Sequence, residues 1–191
     1  MNTDNSAHCY VQNAVFDEIA VEISFSENGR EALIDSSVIT GRNALGDVDI
    51  METSSYGVGQ MIAFAVDYGA KNITIKIGPA CTADCGLGML AALGACFYNK
   101  NGVSFVPTGK TLKDIMDFDF SMMYPRLIGA KFEGIYESND NSPVDGIDYI
   151  QQLINQKLEK NFAVEPGMNA GGGLGFALRT GLEGNLSVYQ S

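Results

Sequence analysis

The chain has 191 residues, nearly half of them apolar, and carries a formal charge of −11 from 23 acidic and 12 basic side chains. That length supports one domain with a full core, and the composition is not that of a disordered segment. An acidic surface argues against nucleic acid as a partner, and the lack of a long apolar run or a basic leader argues against a membrane and for a cytoplasmic setting.

Residues 1–10, MNTDNSAHCY, read as a polar leader, with one domain over residues 11–191. Glu18 to Ser26 then alternates, setting Ile19, Val21, Ile23 and Phe25 against Ala20, Glu22 and Ser24, the period of a half-buried strand. Asn28-Gly29 offers a hairpin turn, and Glu31 to Asp35 returns as its partner. Thr40 to Ile50 lacks periodicity and reads as a loop. A helix follows, with Thr53, Ser54 and Ser55 as candidate caps, Val58, Met61, Ile62, Ala65 and Val66 on one face, and Gly69 as its stop.

The stretch from Lys71 to Gly94, KNITIKIGPACTADCGLGMLAALG, organises the rest. Ile73 to Ile77 suits a buried strand, Gly78-Pro79 breaks it, and Gly86 to Leu93 reads as a helix. Strand, small-residue turn and helix start can together hold an anion, although many such turns only connect. Between Lys71 and Lys113 the chain carries five lysines and a single acid, Asp84, in an otherwise acidic sequence. An anionic small ligand fits there, as does plain solvated surface. Cys9, Cys81, Cys85 and Cys96 lack zinc-site spacing, and with His8 as the sole histidine they read as free thiols in a reducing compartment.

Cys96 to Tyr98 and Val103 to Val106 flank a second hairpin turn at Asn99 to Gly102. Thr111 with Asp114 resembles a cap for a short helix ending near Met116; Asp117 to Phe120 alternates, and Lys131 to Glu137 is a further strand candidate. Ser142 and Pro143 suit the start of an amphipathic helix running to about Asn161, in which Asp145 and Asp148 are read as first-turn acids rather than metal ligands. Pro166 to Gly175 packs glycines at 171, 172, 173 and 175, a helix follows through Leu182, and Asn185 to Tyr189 reads as an edge strand.

Three of these segments, in order, resemble the bacterial glycerate kinase family. Glu52 to Ile62 is similar to its T-[ST]-x-G-x-G-[EQ]-L-I motif. The organising stretch is similar to G-G-S-A-T-N-D-G-G-A-G-M, and Val164 to Phe176 to V-P-G-A-G-A-A-G-G-x-G. The resemblance covers the middle domain of the family, which sits inside a larger α/β domain whose own motifs are absent from this chain. It implies a single α/β domain with a mixed sheet flanked by helices.

The resemblance also implies ATP and Mg2+ as cofactors, a glycerate-like acid as substrate, and a second chain supplying the missing outer domain. Thr82 and Asp84 become the catalytic candidates, with Asp84 orienting the acceptor hydroxyl or holding magnesium, or else simply capping the next helix. Gly78, Gly86, Gly88, Gly171, Gly172 and Gly173 become the cofactor-binding candidates, and no metal-ligand set is assigned. Pro79, Ala80, Ala83 and Cys85 depart from the family pattern, and Pro79 removes an N–H that a phosphate could have used. Two functions follow: ATP-dependent phosphorylation of D-glycerate by a split or degenerate enzyme, or a non-catalytic domain binding a small acid, a nucleotide or a protein.

Overall fold

The structure, a computed structural model, describes residues 5–41, 46–137, 146–160, 162–163 and 165–189. Among these, a six-stranded sheet contains β1 (Asn5–Gln12), β2 (Glu18–Phe25), β3 (Glu31–Asp35), β4 (Asn72–Ile77), β8 (Lys131–Tyr136) and β9 (Asn185–Val188), in the order β1-β2-β3-β4-β8-β9. The first three strands run antiparallel, and β3, β4, β8 and β9 run parallel, so the sheet is mixed. A second sheet of three strands, β6-β5-β7, is built from β5 (Cys96–Tyr98), β6 (Ser104–Phe105) and β7 (Asp117–Asp119).

Among the described residues five helices accompany the sheets: α1 (Ser37–Thr40), α2 (Tyr56–Tyr68), α3 (Leu87–Ala92), α4 (Ile147–Leu158) and α5 (Ala170–Gly181). Alternation along each strand decides where the core sits. Val21, Ile23, Phe25, Ala32, Ile34, Ile73, Ile75 and Ile77 turn inward and join Met61, Ile62 and Ala65 of α2 with Leu174 and Leu178 of α5. The residues between them on β4, Thr74 and Lys76, stay half-buried and exposed, so β4 is buried on one face.

Most expected elements are present. The hairpin at Asn28-Gly29 joins β2 to β3, with Gly29 at φ +66°. Gly69 closes α2 in the left-handed conformation (φ +120°), its N–H meeting the carbonyls of Ala65 and Val66. Two readings are corrected. Residues within the supposed leader form β1, whose Ala7, Cys9 and Val11 face inward while all eight residues pair with β2. The short helix after β6 is a 3-10 turn over Gly109–Asp114; Thr108 precedes it and its N–H donates to Thr111 Oγ1 at 2.9 Å, so Thr111 is the third residue of the turn and not its cap. Ser142, Pro143 and Asp145 lie outside the described residues.

Candidate functional site

Parallel strands all end at one edge, and in open α/β sheets that edge is where ligands are met. Here β3 runs into α1, and β4 runs into the turn Gly78–Cys85, which a bridge between Gly41 and Ala80 and a bond from Cys81 N–H to the Thr40 carbonyl (2.6 Å) tie to the end of α1. Thr53 Oγ1 donates to the Cys81 carbonyl at 2.6 Å, so the segment entering α2 holds the turn from its other side. Every residue from Cys81 to Leu90 is buried.

Asp84 is the knot of this arrangement. It is fully buried, and its Oδ2 accepts from the Ser55 N–H (2.7 Å), the Ser55 hydroxyl (2.8 Å), the Gly88 N–H (3.1 Å) and the Ser54 hydroxyl (3.3 Å). Its Oδ1 accepts from the Gly86 N–H at 3.0 Å. Ser55 Oγ in turn accepts from the Met89 N–H at 3.0 Å. One carboxylate and one hydroxyl therefore close the start of α3 and fasten it to the start of α2. Burial pushes the Asp84 carboxyl above its ordinary range, while the bonds from Ser55, Gly86 and Gly88 act against that rise. Burial, with the Asp84 charge beside it, also pushes the Cys85 thiol far up, which makes it a packing group and not a nucleophile.

From sequence the helix start could either present positive charge to an anion or only connect strand to helix. The N–H groups of Gly86, Gly88 and Met89 are occupied by Asp84 and Ser55, and α3 has only six residues. The candidate glycines are accounted for by close packing. A Cβ at Gly88 would meet Ser54 Oγ at 2.0 Å, and one at Gly86 would meet the Ala177 Cβ at 2.6 Å. Gly171, Gly172 and Gly173 adopt left-handed conformations in succession, so the right-handed part of α5 begins only at Leu174. A Cβ on these three would strike Ile77 (2.5 Å), the Thr82 carbonyl (1.9 Å) and the Cys85 Cα (2.6 Å) respectively. The Gly172 carbonyl also accepts from the Cys85 N–H at 3.1 Å, joining the two glycine-rich turns backbone to backbone. Gly78 differs: its nearest neighbour would be the Ser37 Cβ at 3.5 Å, an ordinary contact.

Thr82 stands apart from Asp84. Its hydroxyl is buried without a hydrogen-bond partner, and among the described residues it shares that condition with Ser36 alone. A buried hydroxyl left unpaired is costly, and Thr82 Oγ1, closed off from solvent against Gly172, is the one side-chain hydroxyl of the turn in that condition. Ser36, at the end of β3, was not singled out from sequence; its hydroxyl type is visible there, but its orphaned state emerges only from packing.

The cationic stretch is dispersed by the fold. Lys76 pairs with Asp35 at 3.5 Å and Lys110 with Glu52 at 2.8 Å, so neither adds a free charge at the turn. Among the described residues no three His, Cys, Asp or Glu side chains gather in a metal-binding group, and no helix is long and apolar enough to cross a membrane. With α3 closed by its own carboxylate and no acid cluster at the turn, these residues do not by themselves form a site fitted to ATP and Mg2+.

The Glycerate kinase family matches residues 1–141. A glycerate kinase of Bacillus cereus is 32% identical over 157 residues, covering 70% of this chain and 41% of that protein. The glycerate 2-kinase of Escherichia coli is 27% identical over 204 residues, covering 94% of this chain and 54% of that protein. The fold matches that of a protein assigned as glycerate kinase 2 from Salmonella typhimurium LT2, with a TM-score of 0.87 at 23% identity over 96% of this chain and 56% of the other. The chain thus spans about half the length of these relatives. It belongs to the glycerate kinase family.

Proposed function

We propose that this chain supplies one half of a glycerate kinase, acting on D-glycerate only when a second polypeptide contributes the part of its relatives that it does not span. In that reaction the terminal phosphorus of ATP forms a bond to a glycerate hydroxyl oxygen, its bond to ADP breaks, and the hydroxyl proton is released. The observation that carries the reading is the family match over residues 1–141 in a chain that spans about half the length of its relatives, with the Thr82 turn at the carboxyl edge of the parallel strands. Phosphoryl transfer depends on placing and charge stabilisation by several groups at once, and this half holds few of them. Here Asp84 is a positioning residue that keeps the turn in shape through Ser55, Gly86 and Gly88, and Thr82, whose hydroxyl is closed off in this chain by itself, meets the acid or phosphate only once the complementary half reshapes the turn. Nucleotide and magnesium fall mainly to the complementary half.

The second reading, a binding domain without catalysis, is favoured by the mutual packing of the two glycine turns, which leaves Gly78 the loosest of the six candidate glycines. The test is ADP release with Mg-ATP and D-glycerate by three samples: the chain alone, the complementary segments of the Escherichia coli glycerate 2-kinase alone, and the two combined. Glycerate-dependent turnover in the mixture alone supports the split kinase. Binding of D-glycerate without turnover in any sample leaves the binding domain.

A further inference from the structure

At the end of the main sheet opposite the glycine turns lies an open cleft of about 570 Å3 into which Arg30, Lys71 and Arg126 converge beside Asn28 and Tyr68. Among the described residues no acid lines it, in a chain where acids outnumber bases 23 to 12. Its position follows from the topology. Arg30 immediately precedes β3 and Lys71 immediately precedes β4, and the Arg30 carbonyl accepts from the N–H groups of Lys71 (2.8 Å) and Asn72 (3.1 Å). Neighbouring parallel strands are about 4.8 Å apart, so the backbone fixes these two cations side by side.

Neither Arg30 nor Lys71 has an ion-pair partner among the described residues, and both are exposed. Arg126 arrives from a 3-10 turn opened by Pro125, and its Nε meets Asp67 at 3.2 Å. Asp67 also accepts from the Tyr124 hydroxyl at 2.6 Å, which holds the carboxylate that anchors the guanidinium. Asn28 spends its Oδ1 on the Ser26 hydroxyl and the Arg30 N–H, both at 2.9 Å, which keeps its amide N–H groups as donors. Like charges placed together repel, and among the described residues Arg126 alone of the three cations is offset by a paired acid, Asp67.

We infer that this cleft is a binding site for a small oxyanion carrying at least two negative charges, of the phosphate or polycarboxylate class. Planar guanidinium groups suit such oxygens, often in pairs of bonds. The six residues of β4 separate the cleft from the Gly78 turn by roughly 20 Å at about 3.3 Å per residue, so this site is independent of the glycerate reading.

The test is a titration of the isotope-labelled chain, followed by amide NMR, with sodium pyrophosphate and with sodium citrate at constant ionic strength, using chloride as the reference. Saturable shifts are expected at Gly29, Arg30, Gly69, Lys71 and Arg126, and whichever anion binds more tightly identifies the class. The double variant Arg30→Gln/Lys71→Gln should bind about tenfold more weakly, as two exposed charge contacts of a few-fold each are removed. Lys100→Gln, away from the cleft, should bind as the parent does. Both variants alter exposed side chains, and an unchanged melting temperature verifies the fold. Shifts absent from the cleft, no preference over chloride, or equal affinity in the double variant would overturn the assignment.

Discussion

Thr82→Val separates a hydroxyl kept for a ligand from one kept for folding. Threonine and valine share shape and the branched Cβ, so the exchange preserves packing and replaces only the hydroxyl. Thr82 is 3% exposed and its Oγ1 has no partner, so the folded chain bears the cost of a dehydrated polar atom and recovers no bond. Such a group costs about 1–3 kcal/mol, and a methyl in its place should stabilise the ligand-free chain by about 1 kcal/mol. For a chain of this size that is a rise of about 2–4 °C in melting temperature. Urea unfolding monitored by far-ultraviolet circular dichroism gives the free energy directly, with a slope unchanged from the parent. In a mixture reconstituted with the complementary half of a relative, the same variant should lose glycerate-dependent turnover. A variant less stable than the parent by 1 kcal/mol or more would mean that the hydroxyl has a partner in the native fold, and the argument would fail. Raised stability with unchanged turnover would detach Thr82 from the ligand.

Asp84→Asn should cost about 3 kcal/mol or more, because an amide presents a donor to a pocket already lined by the donors of Ser55, Gly86 and Gly88; urea unfolding within 1 kcal/mol of the parent would refute the knot. Gly172→Ala should lose several kcal/mol, since its Cβ would fall 1.9 Å from the Thr82 carbonyl at φ +69°, while Gly78→Ala, 3.5 Å from its nearest neighbour, should stay within about 1 kcal/mol. Equal losses in the pair, read by thermal melting, would contradict the packing. Native-state thiol labelling should stop at Cys9 and Cys96, because Cys81 and Cys85 are buried; mass spectrometry that finds Cys85 modified before unfolding would show that the turn opens.

Local pattern sufficed wherever local pattern fixes the backbone. The alternation of β2, the left-handed stop at Gly69 and the apolar spacing of α2 were all legible, since each needs only a few neighbouring residues. The first strand was hidden by its polar residues, although Ala7, Cys9 and Val11 already carried the period; pairing with β2 supplies the burial that propensity lacked. At the site, Asp84 was legible as a possible cap. Its bonds to Ser55, 29 positions away, were not, because no local spacing announces a contact of that range. Of the three candidate caps Thr53, Ser54 and Ser55, Ser55 does stand at the N-cap position of α2, but its hydroxyl turns to Asp84 and Met89 instead of to its own helix.

That distinction governs how the family motif should be weighed. Asp84, Gly86, Gly88 and the run Gly171–Gly173 are each demanded by the interior: one by its five accepted bonds, the others by backbone or side-chain atoms where a Cβ would sit. A domain that had lost catalysis would still need them to fold, so their presence does not discriminate a working kinase half from a retired one. Cys85 makes the converse point. It holds φ +55° where the resembled motif has glycine, a left-handed conformation worth about 1–2 kcal/mol of strain for an ordinary residue, and the surrounding packing nonetheless enforces it. The turn's shape is therefore set by the knot around Asp84 more than by its glycine content. The Thr82 hydroxyl stands outside that knot and meets no partner among the described residues. Thr82 keeps the resembled motif's residue beside altered neighbours at Pro79, Ala80 and Ala83, so the Thr82→Val comparison is where selection for chemistry can be told from selection for fold.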